Sequence, residues 1–308
     1  MTINEEMNPR YLLTRAGLVT RPSTDGGVSD PGQVIAYSAL SGWKPLGLAG
    51  TPLLAGDECR VGTNLAIAAQ KSSGRLHAWS ALKGGEWRPC PNAVVTGDRA
   101  PVARGNVAAL QGAQAAYAFG AESGEWAVLG TPPAGAALHV TPNLALVSAA
   151  GDPGIHAFSG IHGTAAWASY ELKGTGATRH SGPGTNVVVA GRTGGRACAY
   201  NAIRGAWVPV PDGSPLLADG DELVAYSHVG IVRAAGVVHA FNANTHQWYS
   251  AAITNPLAVH GAGAVALVQV AGGYHAFSAL ANPIKRSGQA PGWHEFKPAA
   301  SCGVGLSA

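Results

Sequence analysis

The sequence predicts an all-β fold made of seven short repeats, and three observations carry this prediction. A phrase of alanine, an aromatic residue and a small or polar residue, followed after a turn by tryptophan, returns seven times. The first residues of successive phrases lie 42, 40, 39, 42, 41 and 36 positions apart. Glycine is abundant, with 43 residues, and only 12% of the residues are charged. A regular period of this kind is typical of repeat architectures, and the composition suits short strands joined by tight turns.

The repeat sets the boundaries of the predicted units. The phrase begins at Ile35, His77, Tyr117, His156, Cys198, His239 and His275, and it closes with Trp43, Trp87, Trp126, Trp167, Trp207, Trp248 and Trp293. We therefore expect a single domain with units at roughly 10–48, 51–90, 93–130, 131–172, 173–210, 213–252 and 253–298.

The fourth unit shows the predicted strands most clearly. Its apolar and branched segments are 138–141, 144–150, 155–159 and 166–172, and turns rich in glycine, proline and asparagine separate them. We call these strands a, b, c and d. No segment of the chain shows a sustained helical period with caps. Four antiparallel strands in each of seven units, without helices, predict a seven-bladed β-propeller with four-stranded blades.

The period and the recurring turn-tryptophan phrase resemble the seven-bladed propeller superfamily, in the general plan of kelch and WD-repeat proteins. The resemblance covers nearly the whole chain. The double glycine of kelch repeats is not regular here, and the Trp-Asp dipeptide of WD repeats is absent. The resemblance therefore implies the fold and no particular function.

Two segments are candidates for strand a of the first unit. Tyr11–Thr14 precedes strand b of that unit directly. The segment Ser301–Leu306, within 299–308, contains Cys302-Gly-Val-Gly, which is similar to Cys59-Arg-Val-Gly at the start of the second unit. Propellers often close with a strand from the opposite end of the chain, so either segment could supply this strand.

Charge and composition narrow the classes of partner. The net charge is +3 and no basic run occurs, so we expect no nucleic-acid binding. No apolar run reaches the ~18 residues of a membrane span. The chain begins without a signal-peptide pattern, and its four cysteines form no Cys-x-x-Cys pair. We therefore expect a cytoplasmic protein with reduced thiols.

The recurring residues are predicted to be structural. A tryptophan at one fixed place in every unit is expected to pack against the neighbouring unit; exposed on a surface, the same residues would suit a lectin. Four units place a histidine at the start of strand c, but other units have Ile35, Tyr117 or Cys198 there. We therefore expect half-buried histidines with a backbone or side-chain partner. These four histidines are His77, His156, His239 and His275.

A candidate metal site emerges where the units differ. An ungapped alignment on strand b places one residue of each strand a in the same slot: Leu13, Arg60, Val102, His139, Tyr226 and His260. His180 lies nearby in the fifth unit, displaced by two extra residues. His139, His180 and His260 are therefore candidate ligands of Zn, Fe, Cu or Mn in a central channel. Tyr226 would act as acid or base, and Arg60 would hold an anionic group. A solvated polar channel is the alternative.

Three other features are candidates for a binding face. The turn at 281–292 is long and is expected next to His260. A second long turn, 21–32, is expected on the opposite face. Gly-Asp pairs place Asp57, Asp98 and Asp221 before strand a, where a turn is the expected role and a cation site the alternative.

The predicted function is a non-catalytic binding or assembly module, with protein, small-molecule or carbohydrate ligands at a propeller face. The first alternative is a metal-dependent lyase, hydrolase or oxygenase that uses the channel histidines. The second is a multivalent lectin. The sequence contains no Gly-x-Ser-x-Gly motif and no phosphate-binding loop, and the fold alone does not decide between these classes.

Overall fold

The computed structural model describes residues 16–24, 32–38, 40, 42–45, 52–95, 99–280 and 292–297. Within these ranges all regular structure is β-strand, and the strands form seven antiparallel sheets. The same residues include no helix of the length and hydropathy needed to cross a membrane.

Sheets 1 to 4 follow the chain in order. Sheet 1 contains β1 (Gly17–Arg21), β2 (Gln33–Ser38) and β3 (Gly42–Pro45). Sheet 2 contains β4 (Glu58–Val61), β5 (Leu65–Gln70), β6 (Arg75–Ser80) and β7 (Arg88–Pro89). Sheet 3 contains β8 (Val102–Arg104), β9 (Val107–Gln111), β10 (Ala116–Gly120) and β11 (Trp126–Leu129). Sheet 4 contains β12 (Ala137–Val140), β13 (Leu144–Ser148), β14 (Gly154–Ser159) and β15 (Trp167–Glu171).

Sheets 5 to 7 repeat the same order. Sheet 5 contains β16 (Arg179–His180), β17 (Val187–Gly191), β18 (Cys198–Asn201) and β19 (Ala206–Pro209). Sheet 6 contains β20 (Glu222–Ala225), β21 (Val229–Ala234), β22 (Val237–Asn242) and β23 (Gln247–Ala252). Sheet 7 contains β24 (Ala258–Ala262), β25 (Val265–Val270), β26 (Gly273–Ser278) and β27 (Trp293–Phe296).

These sheets are the blades of a seven-bladed β-propeller, which confirms the fold predicted from the sequence. Each sheet falls within one predicted unit, and sheets 2 to 7 have four strands in consecutive order. Sheet 1 has three strands in the described part of the chain. Both candidates for its fourth strand, Tyr11–Thr14 and 299–308, lie outside the described residues, so closure of the ring stays a prediction.

The chain packs as two compact units. The first comprises Met1–Leu172 with Tyr200–Trp207, and the second comprises Lys173–Ala199 with Val208–Ala308. In the first unit, the second strand of each four-stranded sheet is buried along its whole length, as in β5, β9 and β13. Short residues such as Ala66, Ala68 and Ala109 recur there, which allows neighbouring sheets to pack closely.

The recurring tryptophans join neighbouring sheets. In the first unit, the indole N–H of Trp87 donates to the Lys44 carbonyl at 2.9 Å, and that of Trp126 donates to the Arg88 carbonyl at 2.9 Å. Each acceptor is the residue that follows the tryptophan of the preceding sheet. The same bond recurs from Trp167 to Ala127, from Trp207 to Ala168, from Trp248 to Val208 and from Trp293 to Tyr249. The predicted packing role is therefore confirmed for these six tryptophans.

Candidate functional site

The strand register tests the alignment on which the predicted metal site rests. Arg60 pairs with Ile67, His139 with Leu146, and His260 with Leu267. Each partner is the third residue of the second strand of its sheet, so Arg60, His139 and His260 are equivalent positions.

Sheets 5 and 6 place other residues at that position. In sheet 6, Val224 pairs with the corresponding Ile231, and Tyr226 lies two positions further on. In sheet 5, the N–H of Ser181 donates to the carbonyl of Val189, and His180 comes one position earlier. Because strand side chains alternate between faces, His180 projects from the face opposite to that of Ser181.

His139 in the first unit is half-buried. Its neighbours Leu138 and Val140 pack on a core that contains Val107 from sheet 3 and Ala145 from sheet 4. His139 lies between them in the sequence, so it projects from the other face of β12.

Tyr226 and His260 in the second unit are on adjacent first strands but not on a shared face. A Cβ added to Gly261 would lie 2.5 Å from Cε2 of Tyr226, so the phenol ring covers Gly261. His260 is exposed and projects from the opposite face of β24. Burial and the Glu222 charge raise the pKa of Tyr226. Tyr226 therefore keeps its proton at neutral pH, and the structure does not place its ring against the His260 imidazole.

Arg60 and His180 have local partners. The Arg60 guanidinium lies 2.9 Å from the Glu58 carboxylate and donates to the Cys59 carbonyl at 2.9 Å. Glu58 also accepts from Lys71 at 2.5 Å. Nδ1 of His180 lies 2.7 Å from the Ser181 carbonyl oxygen, to which it donates. Arg60 therefore already pairs with a carboxylate.

The described residues include no group of three or more His, Cys, Asp or Glu that could hold a metal ion. Arg60 and His139 belong to the first unit, and His180, Tyr226 and His260 belong to the second. The metal and catalytic roles of these five residues stay predictions.

The Gly-Asp pairs cap turns where the structure describes them. The N–H of Leu54 donates to Asp57 at 2.9 Å, and the N–H of Ala218 donates to Asp221 at 2.7 Å. The turn role is therefore confirmed for Asp57 and Asp221. Asp98, residues 25–31 of the first long turn and residues 281–291 of the second lie outside the described ranges.

Three neighbouring turns of the first unit are locked together. They are 62–64 in sheet 2, 105–106 in sheet 3 and 141–143 in sheet 4, and we call them the turn row. Nδ2 of Asn64 donates to Oδ1 of Asn106 at 2.6 Å, and Nδ2 of Asn106 donates to Oδ1 of Asn143 at 2.6 Å. All three asparagines are buried. Sequence reasoning missed them, although an asparagine directly precedes strand b in each of these sheets.

Backbone bonds strengthen the turn row. The N–H of Asn64 donates to the Gly105 carbonyl at 3.0 Å, and the N–H of Asn106 donates to the Pro142 carbonyl at 2.6 Å. A Cβ on Gly105 would lie 2.4 Å from the Pro142 oxygen, so only glycine permits this approach. The three turns therefore form one rigid surface whose side chains are set by a buried network.

The third-strand histidines have the predicted partners in two sheets. Nδ1 of His156 lies 2.8 Å from the Ser169 hydroxyl oxygen, and Nδ1 of His239 lies 2.7 Å from that of Ser250. Each serine is the cross-strand partner of its histidine. The expectation of a half-buried histidine with a side-chain partner is confirmed for His156, while His239 is more deeply buried than expected, at 3% exposure.

Comparison with known proteins gives structural likeness only. No family model matches the chain, and no curated protein matches it. Among solved structures, the computationally designed Ika8 protein is 15% identical, with 87% of this chain and 84% of that chain covered and a TM-score of 0.31. Kluyveromyces lactis Hsv2 is 9% identical, with coverage of 77% and 81% and a TM-score of 0.31. Yeast RCC1 (Prp20), in its complex with Kap60, is 9% identical, with coverage of 87% and 80% and a TM-score of 0.30.

Proposed function

We propose that the protein is a binding module and that the turn row of the first unit is its contact surface for a protein partner. The observation that carries this proposal is the buried chain of Asn64, Asn106 and Asn143, which fixes three adjacent turns relative to one another. A surface that is rigid before binding loses little conformational entropy when a partner docks.

The exposed residues beside the turn row suggest the chemistry of the partner. Arg60 and Val61 end β4, Arg104 ends β8, and Pro142 lies at the tip of the third turn; all four are exposed. The turns themselves contain no Asp or Glu. No ion pair of Arg104 occurs among the described residues. A partner that presents acidic side chains around an apolar contact fits this surface.

The fold supports the same proposal. A propeller suits a binding or assembly module, and the recurring side chains are largely occupied in holding sheets together. Six tryptophans donate their indole N–H groups to a neighbouring sheet. The residues that differ between sheets are then the ones available to distinguish partners.

Affinity capture with charge-reversed variants tests the proposal. The full chain, the Arg60→Glu and Arg104→Glu variants and an Arg88→Glu control would be immobilised, and bound proteins quantified by mass spectrometry. Arg88 is an exposed arginine of the same unit on the last strand of sheet 2, away from the turn row. We expect a partner that both turn-row variants lose and the control keeps. A partner kept by all variants, or no partner under any condition, would refute the turn row as the contact surface.

A further inference from the structure

Sheet 4 places a serine, a histidine and an aspartate around one small gap. His156 on β14 and Ser169 on β15 are cross-strand partners, and Nδ1 of His156 lies 2.8 Å from the serine hydroxyl oxygen. Asp152 lies in the turn before β14, where its Oδ1 accepts the N–H of Gly154 at 2.6 Å. All of these residues belong to the first unit.

Gly154 leaves the gap between the aspartate and the histidine open. A Cβ at this position would lie 2.8 Å from Oδ1 of Asp152 and 3.4 Å from Nε2 of His156. The carboxylate and the far nitrogen of the imidazole therefore border the same space. Any larger residue would fill the space that separates them.

The other third-strand histidines lack this combination. His77 faces Pro89 across the strands and has the cation of Arg75 nearby. His239 bonds to Ser250, but Val237 occupies the position of Gly154, and Nε2 of His239 is buried without a partner among the described residues. His275 faces Glu295. Sheet 4 therefore differs from its relatives by chemistry and not by fold.

The protonation state suits proton transfer from the serine. Burial lowers the pKa of His156, and the Asp152 carboxylate opposes this shift in part. The imidazole is therefore neutral at pH 7. With its proton on Nε2, toward the carboxylate, the Nδ1 lone pair accepts the hydrogen bond of the serine hydroxyl. Ser169 is exposed, so a small reagent can reach its oxygen.

We propose that Ser169 is a nucleophile for acyl transfer from small neutral carboxylic esters, with His156 as its general base and Asp152 as the residue that positions the imidazole. Nδ1 takes the hydroxyl proton while the serine oxygen attacks the ester carbonyl. The C–O bond to the alcohol then breaks, and His156 returns the proton to the departing alcohol. Water hydrolyses the acyl-serine to the carboxylic acid and restores the hydroxyl.

Neighbouring charges set the expected substrate class. Glu171 lies two residues after Ser169 on β15, and its cross-strand partner is Gly154. Two carboxylates, Asp152 and Glu171, therefore stand near the hydroxyl, and they disfavour anionic esters and phosphate esters. The site lies on sheet 4 outside the turn row, so this inference is independent of the proposed binding function.

Acetylation by p-nitrophenyl acetate tests the inference. The full-length protein would be incubated with this ester, and both nitrophenol release and the mass of each peptide would be followed. We expect one acetyl group on the peptide that carries Ser169, with labelling reduced about a hundredfold in Ser169→Ala and in His156→Gln. Ser250→Ala is the matched control, because its His–Ser bond lacks the carboxylate, and it should label like the wild type.

Asp152→Asn separates positioning from mere structure. Asparagine keeps an oxygen acceptor for the Gly154 N–H but removes the charge beside His156. We expect slower labelling and a lower pH of half-maximal labelling, because the pKa of His156 falls further without the carboxylate. Gly154→Ala, which fills the gap, should also slow labelling while the thermal unfolding midpoint shows that the variant is folded. Labelling that is equal in wild type and Ser169→Ala, or equally strong at Ser250, would overturn the inference.

Discussion

Nδ2 of Asn106 donates to Oδ1 of Asn143 at 2.6 Å, and the same Asn106 accepts from Nδ2 of Asn64 at 2.6 Å, so one buried side chain joins three sheets of the first unit. Replacing it affects both neighbours at once. This relationship makes the turn row a mechanical unit as well as a surface.

The first prediction concerns this joint. Asn106→Ala removes two side-chain hydrogen bonds and leaves buried amide groups of Asn64 and Asn143 without these partners. We expect a loss of about 2–4 kcal/mol in the free energy of unfolding, measured by urea denaturation. Thr63→Ala, in the same row but without a buried amide, should change it by less than about 0.5 kcal/mol. Similar values for the two variants would show that the asparagine chain does not stabilise the sheets.

A second prediction concerns the close approach of sheets 3 and 4. A Cβ on Gly160 would lie 2.1 Å from the Asn106 carbonyl oxygen, whereas one on Gly163, in the same turn region, would meet no atom within 4 Å. Gly160→Ala should therefore destabilise the protein by about 2 kcal/mol or more, and Gly163→Ala should be nearly neutral. Thermal unfolding of the two variants checks the difference. Equal midpoints would contradict the packing between these sheets.

The buried phenol of Tyr200 gives a stabilising prediction. Its hydroxyl is buried and has no hydrogen-bond partner among the described residues, and the corresponding residue of four other sheets is phenylalanine: Phe119, Phe158, Phe241 and Phe277. Tyr200→Phe should raise the free energy of unfolding by about 1 kcal/mol. Tyr117→Phe is the contrasting variant, because the Tyr117 hydroxyl accepts the Val94 N–H at 3.2 Å. It should lower stability, and a gain in both would refute the argument.

The sequence predicted the number of sheets and strands because one tryptophan and one buried aromatic residue per unit mark each blade. It failed at the first strands, where turn length varies. The alignment assumed that strand b of the sixth unit begins at Ile231, but β21 begins at Val229, and this difference placed Tyr226 two positions away from the common slot. In sheet 5, the hydroxyl of Ser181 accepts the Val189 N–H at 3.0 Å, an irregularity that the extra residues only hinted at.

Other features depend on register across strands, which a single sequence does not reveal. Ser169 lies 13 residues after His156, and nothing in that spacing indicates a hydrogen bond. The asparagine chain likewise joins residues 42 and 37 positions apart. Their contact follows from the packing of whole sheets, so only the structure brings it out.

A pH prediction follows from the buried histidines. His239 is 3% exposed, and burial lowers its pKa below the ordinary value of 6.5. The unfolded chain therefore binds a proton that the folded protein resists. The stability is present above about pH 6.5 and is lost as the pH falls from there through the folded pKa. His239→Gln should flatten the fall in urea midpoint between about pH 7 and pH 5. An unchanged slope would show that His239 contributes nothing to it.

The most direct test of the turn row as a binding surface is a titration of the captured partner against the full-length protein at low salt. We expect Arg104→Glu to weaken the dissociation constant by about tenfold or more and Arg88→Glu by less than about twofold. Raising the salt concentration should reduce the difference, because the exposed charges are screened. An equal effect of the two substitutions would contradict the assignment of this surface.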